Sequence, residues 1–126
     1  MNDFLLDTDI IINHLKDRSK KGFSLENLFA QGNLFVSTLT AAEVWRGIPQ
    51  EKRDKTEEAL TRIENIPVTT GLARSSGVLS FTYAKRGITI TTIDAIIATT
   101  ALEKNLILVS HDKIYTRIGG LKHYSP

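Results

Sequence analysis

Short apolar runs alternate with amphipathic stretches along the whole chain. Asp3–Leu6, Leu34–Ser37, Ile66–Thr69 and Ile107-Leu108-Val109 are brief and bounded by polar or turn residues, the pattern of buried strands. Between them the spacing predicts helices. The first covers Asp9–Lys16; its Ile10-Ile11-Ile12 run suits a strand as well, but Asp7-Thr8-Asp9 punctuates it as a capped helix start. Ser24 caps a short helix through Ala30, and another runs from the second strand to Arg46, stopped by Gly47 and Pro49. Glu51–Ile63 is charged, with Ala59, Leu60 and Ile63 inward. Leu72–Arg86 carries Leu72, Ser76, Leu79 and Tyr83 on one stripe and the small residues Ala73, Gly77, Ser80 and Ala84 on the next, which permits close helix packing. Ile93–Glu103 places Ile93, Ile96, Ile97, Thr100 and Ala101 on one side, and Asn105 closes it. A short helix near Ile114–Ile118, a Gly119-Gly120 turn and a strand at Leu121–Tyr124 end the chain. Strand–helix alternation of this kind argues an α/β fold, a parallel sheet with helices on both faces.

The length of 126 residues fits one domain, 1–126, large enough to bury a core without staples. The chain has no cysteine, which excludes disulfides, thiolate zinc sites and a cysteine nucleophile. No run approaches the ~20 apolar residues of a membrane span, and Met1-Asn2-Asp3 is no signal-peptide start, so a cytoplasmic location is expected.

Four acids change the picture. Asp7 follows Phe4-Leu5-Leu6, Glu43 follows Leu34-Phe35-Val36 and Thr40, Asp94 follows Ile88-Thr89-Ile90, and Asp112 follows Leu106–Val109. If the strands are parallel neighbours, every strand-to-helix junction lies along one sheet edge, and the acids meet where α/β folds place their ligands. Carboxylates that close repel by roughly 4 kcal/mol per pair at ~4 Å and an effective dielectric of ~20, which a bound cation or a raised pKa relieves. Each acid also has a plain structural role. Asp7 and Asp9 can cap the first helix, Thr40-Ala41-Ala42-Glu43 and Thr91-Thr92-Ile93-Asp94 have the shape of capping boxes, and Asp112 can cap the last helix. Taken jointly they argue a metal site, since Asp7 and Asp94 sit among apolar neighbours and buried acids are rare unless paired or metal-bound. Oxygen-only ligands favour Mg²⁺ or Mn²⁺ over zinc. With these four set aside, 16 basic side chains face ten acidic ones, so an acidic hollow would lie in a basic surface suited to a polyanion.

Leu5-Leu6-Asp7-Thr8-Asp9, Thr40-Ala41-Ala42-Glu43-Val44 with Gly47, Asp94-Ala95-Ile96-Ile97-Ala98 with Ala101-Leu102, and Leu108-Val109-Ser110-His111-Asp112 resemble, in order, the four motifs of PIN-domain ribonucleases. The nearest likeness is to VapC-type toxins of bacterial toxin–antitoxin pairs, and it covers the whole chain. The resemblance implies a PIN-like three-layer α/β/α domain with a central, mainly parallel sheet. It implies an endoribonuclease that cleaves RNA, such as a tRNA or rRNA loop, by metal-activated water. It makes Asp7, Glu43, Asp94 and Asp112 the acids around Mg²⁺ or Mn²⁺, with Thr8 and Ser110 as polar neighbours and Asp9 as a weaker member. It also implies a small antitoxin covering the groove, and a homodimer. Two departures stand out: Ser110 where threonine is commoner, and Tyr115 where phenylalanine is usual, a change expected to alter packing only.

The remaining candidates carry less. His111 is adjacent to Asp112, but successive residues leaving a strand point to opposite sides. His14 and His123 read as surface or edge residues. Trp45, two positions after Glu43 on its helix, faces away from that acid and reads as a core or interface residue. The Lys16–Lys21 run, and Arg46 with Lys52 and Arg53, are possible RNA contacts or simply a solvated turn and helix end. A receiver-like signalling module with a Mg-binding acidic pocket would also gather acids at strand ends, though it would not need Glu43. A nuclease of the same type acting on another nucleic acid shares the metal chemistry.

Overall fold

The computed structural model describes residues 2–126. Five strands form one sheet: β1 (Phe4–Leu6), β2 (Leu34–Ser37), β3 (Glu64–Ile66), β4 (Ile107–Val109) and β5 (His123–Tyr124), in the order β3-β2-β1-β4-β5. Every neighbouring pair is parallel, with Leu5 opposite both Phe35 and Leu108. From β1 the chain winds outward through β2 to β3, then returns to the far side of β1 as β4. The reversal of winding between β1 and β4 opens a crevice at their carboxyl ends, the place where such sheets receive ligands.

Side chains alternate faces along each strand, so the three residues of β1 feed two cores. Phe4 and Leu6 join Leu34, Val36 and Val109 beneath α1 (Thr8–Leu15), α2 (Leu25–Gln31), α3 (Thr38–Gly47) and α4 (Arg53–Thr61). Leu5 and Leu108 join the opposite core, with residues of α6 (Thr92–Lys104) and Phe35, Leu79 and Tyr83 packed against it. The sheet is thus sandwiched between helical layers, with α5 (Thr70–Ala84) and α6 packed together on the second face. The expected α/β/α architecture is the observed one.

Several local expectations need correction. The third strand is Glu64–Ile66 rather than Ile66–Thr69, because Thr69 serves instead as the N-cap of α5, accepting from Leu72 N at 3.1 Å. Ile88-Thr89-Ile90 forms no strand; Ile90 is buried in the second core while the segment connects two helices directly. The charged helix begins as a 3₁₀ turn at Gln50–Lys52, and the terminal strand is shortened to His123–Tyr124. Of the small-residue stripe on α5, Ala73, Gly77 and Ala84 are exposed, because α6 packs on the Leu72–Ser76 side. Ile93 is 43% exposed rather than inward: it sits in the first turn of α6, beyond the sheet edge. Trp45 is exposed, which removes the core reading and leaves the interface one, and it stays outside the acid cleft in keeping with its facing away from Glu43.

Candidate active site

Each predicted acid reaches the crevice by its own local device. Asp7 ends β1 and caps α1, its Oδ1 accepting from Thr8 N at 2.9 Å. Asp94 lies in the first turn of α6, where its N–H donates to the cap hydroxyl of Thr91 at 3.1 Å. Asp112 caps a 3₁₀ turn at Lys113–Arg117, with Oδ1 accepting from Ile114 N at 3.0 Å. The structural role and the site role therefore coexist, since a cap occupies one carboxylate oxygen and leaves the other. Glu43 differs. The cap of α3 is Ser37, whose Oγ accepts from Leu39 N at 3.2 Å. Thr40 lies inside that helix, buried and with its hydroxyl unpartnered among the described residues, so Glu43 belongs to no capping box. Its Oε1 instead accepts from Thr8 Oγ1 at 2.8 Å, a bond that ties α3 to α1 across the crevice.

The result is a cleft of about 430 Å³ lined by Asp7, Thr8, Asp9, Glu43, Asp94 and Asp112, with Ile12, Asn13 and Ile93 as further walls. None of the lining residues is cationic. Among the described residues no ion pair involves these acids, and no group of three or more His, Cys, Asp or Glu stands ready-gathered around a single ion position. Neutral donors hold the carboxylates instead. Ser110 Oγ donates to Asp7 Oδ2 at 2.7 Å, and Tyr115 OH reaches Asp94 Oδ1 at 3.3 Å.

Burial without a countercharge shows in proton affinity. The Asp7 carboxyl is pushed up to about 6, chiefly by desolvation and further by Asp9 and Asp94, against the lowering pull of Ser110 and Thr8 N. Asp94 is raised by burial first, with Asp112 and Glu43 adding to it against the hydroxyls of Thr91 and Tyr115. Burial pushes the Tyr115 phenol up too, helped by Asp7, Asp94 and Asp112, so it stays a neutral donor. An all-oxygen, uncompensated donor set fits a hard divalent cation.

The supporting residues divide. Thr8 and Ser110 bond site acids directly. Asp9 spends both oxygens on backbone, Oδ1 on Ile10 N at 2.8 Å and Oδ2 on His111 N at 3.0 Å, and so fastens α1 to the segment after β4. His111 contributes that N–H, while its ring lies beside Ser125 at 3.4 Å. His123 is half-buried on the edge strand β5, its Nε2 2.8 Å from Ser110 O. Arg46, Lys52 and Arg53 do not line the cleft. Arg46 and Arg53 are exposed, and Lys52 faces Asp17 at 4.0 Å. Sequence reasoning missed Ile12 and Asn13, whose signal was available: they stand one helical turn after Thr8 and Asp9, on the same face. Gly47 also shapes this wall, since a Cβ there would come within 3.0 Å of Ile12 Cδ1.

Known proteins share both sequence and shape. The chain is similar over 128 residues, at 27% identity, to the tRNA(fMet)-specific endonuclease VapC of Shigella flexneri, covering 97% of this chain and 96% of that protein. VapBC-1 from nontypeable Haemophilus influenzae superposes with a TM-score of 0.79 at 26% identity, over 97% of this chain and 96% of its counterpart. VapBC2 from Rickettsia felis, bound to a DNA fragment from its promoter, gives 0.83 at 22% identity over 97% of both chains, a likeness of fold. With the PIN domain matching residues 4–121, nearly the whole span that carries the sheet and its acids, the chain belongs to the PIN-domain family.

Proposed function

We propose that this chain is a divalent-metal-dependent endoribonuclease and the toxin of a toxin–antitoxin pair, with Asp7, Glu43, Asp94 and Asp112 as its metal-holding, catalytic acids. The observation that carries this reading is the cleft where several acids converge, two with raised proton affinity, without one cationic side chain among its walls. A Mg²⁺ or Mn²⁺ ion held there would lower the pKa of water and offset charge on a scissile phosphate. The chain's own residues prepare that chemistry. Ser110 donates to Asp7 and so favours its ionised, ligating form. Thr8 fixes Glu43, and Asp9 holds α1 against the segment that delivers Asp112. Asn13, with Ile12 and Ile93 as apolar walls, would meet the RNA beside the acids. Arg46 follows Glu43 by three positions on α3 and has the best claim among the basic candidates to a phosphate, ahead of Arg53; Lys52 is already engaged by Asp17.

The named relatives support the rest. The Shigella protein is a tRNA(fMet)-specific endonuclease, and a similar solved structure from Klebsiella pneumoniae is a toxin–antitoxin complex. An antitoxin of this chain would bring a cationic segment to the acid cleft, where uncompensated carboxylates favour it. A homodimer and a cytoplasmic site of action complete the reading; among the described residues no helix is long and apolar enough to cross a membrane. The receiver-like alternative loses ground on topology, since the order β3-β2-β1-β4-β5 is not the 2-1-3-4-5 order of flavodoxin-like sheets.

The deciding assay incubates purified protein with tRNA and rRNA in EDTA, Mg²⁺ or Mn²⁺. Cleavage should appear only with metal and vanish in Asp94→Asn; full cleavage in excess chelator would sink the reading. In growing bacteria the wild type should arrest growth, Glu43→Gln should not, and co-expressed antitoxin should relieve the arrest.

A further inference from the structure

Tyr115 does more than fill space. It is 1% exposed and belongs to the apolar cluster that holds Ala98, Leu108 and Ile118, where phenylalanine would bury no polar atom. A buried hydroxyl is costly unless bonded, and this one reaches Asp94 Oδ1 at 3.3 Å. The ring is itself braced: His123 meets it edge-on with centroids 5.9 Å apart, and His123 Nε2 lies 2.8 Å from Ser110 O. The segment Ser110–Tyr115 therefore touches every acid on the β1 and α6 side of the cleft. Ser110 Oγ holds Asp7, His111 N holds Asp9, and Tyr115 OH holds Asp94, while Asp112 is supplied by the segment itself.

We infer that Tyr115 is a positioning residue, whose hydroxyl tethers Asp94 Oδ1 and thereby sets the angle at which that carboxylate is presented to a cation in the cleft. The cation half of this inference rests on the proposed function; the tether does not. A carboxylate in the first turn of a helix can rotate about its Cα–Cβ and Cβ–Cγ bonds, and one fixed oxygen removes most of that freedom. Because a partner of this kind orients a ligand without touching the metal, its loss should weaken metal binding more than folding.

Tyr115→Phe is the test, read in two arms. In the first, Mn²⁺ binding is followed by the paramagnetic signal of the free ion. Affinity should fall about tenfold, with the metal-free melting temperature lowered by no more than a few degrees and cleavage restored at saturating Mn²⁺. A lower melting temperature with unaltered Mn²⁺ affinity would mark a purely structural tyrosine and overturn the positioning role. In the second arm, metal-free unfolding of wild type, Tyr115→Phe, Asp94→Ala and the double variant forms a cycle. Coupling of about fivefold in the unfolding constant supports the tether, and additivity overturns it. A wild type that binds no Mn²⁺ would strike the nuclease reading, with the second arm still deciding the tether.

Discussion

Two charged hollows on this molecule use carboxylates in opposite ways. Between α1, α2 and α4, a hollow of about 170 Å³ is lined by His14, Glu26, Lys55, Glu58, Ala59 and Arg62. There Glu26 meets Arg62 through two bonds of 3.2 Å, and Lys55 meets neighbouring Asp17 at 3.3 Å. Arg62 holds the Glu26 carboxyl below its ordinary range. At the end of β1 and β4, burial drives Asp7 and Asp94 the other way, and only hydroxyl and amide donors face them. In the first hollow cations pair with carboxylates; among the walls of the second no cation stands beside them. Acidity alone does not mark a site. What sets this cleft apart is half-buried acids with no cation among its walls.

The most severe way to break the contrast is Asp7→Asn. Losing a ligand that stabilises charge in the transition state should cut cleavage about a thousandfold, corresponding to ~4 kcal/mol. The same change should leave metal-free stability unchanged or improved, because it removes a buried charge. Asp94→Asn should behave alike, and the double variant should lose little more, since the acids act as a unit. Single-turnover cleavage and thermal melting measure both halves.

The pH dependence of folding comes next. A carboxyl held at about 6 in the folded chain and 3.8 in the unfolded one binds its proton more tightly when folded. Its contribution to stability is therefore fully present below the unfolded value and lost as pH rises through about 6, by at most about 3 kcal/mol. Melting curves of metal-free protein between those pH values should show this decline. Asp7→Asn should reduce it, leaving the share of Asp94, and added Mn²⁺ should reverse it by binding only the folded state. A flat wild-type curve would mean that Asp7 is solvated like the acids of the other hollow.

Ser110→Ala sharpens the comparison from the donor side. Removing the hydroxyl from Asp7 Oδ2 should weaken Mn²⁺ binding about 10–100-fold, and Ser110→Thr should restore it. Calorimetric titration with Mn²⁺ would check both. The smallest effect belongs to the first hollow. Glu26→Gln should leave cleavage and Mn²⁺ affinity unchanged and barely move the melting temperature, because exposed ion pairs contribute little and are screened by salt. A large loss of cleavage there would mean that the two hollows communicate.

The sequence by itself determined the kind of fold and the acids. Three-residue apolar runs followed by Asp7, Asp112 and the Thr91–Asp94 turn carry their own instructions, because side-chain alternation and capping act over a few neighbouring residues. It also fixed the closure of α6 at Asn105, which adopts the left-handed conformation at φ 54°. What it left open was whatever depends on residues far apart in the chain. Glu43 and Thr8 are 35 positions apart and Ser110 and Asp7 are 103 apart, so only the parallel β2-β1-β4 order converts a capping-box pattern into a bridge and a strand-end serine into a donor to Asp7. The same holds for the misplaced third strand, for exposed Ile93 and Trp45, and for Tyr115, whose hydroxyl had no visible partner until α6 was laid beside the last 3₁₀ turn. Local chemistry is written along the chain, but burial and long-range bonds exist only once the strands have chosen their neighbours.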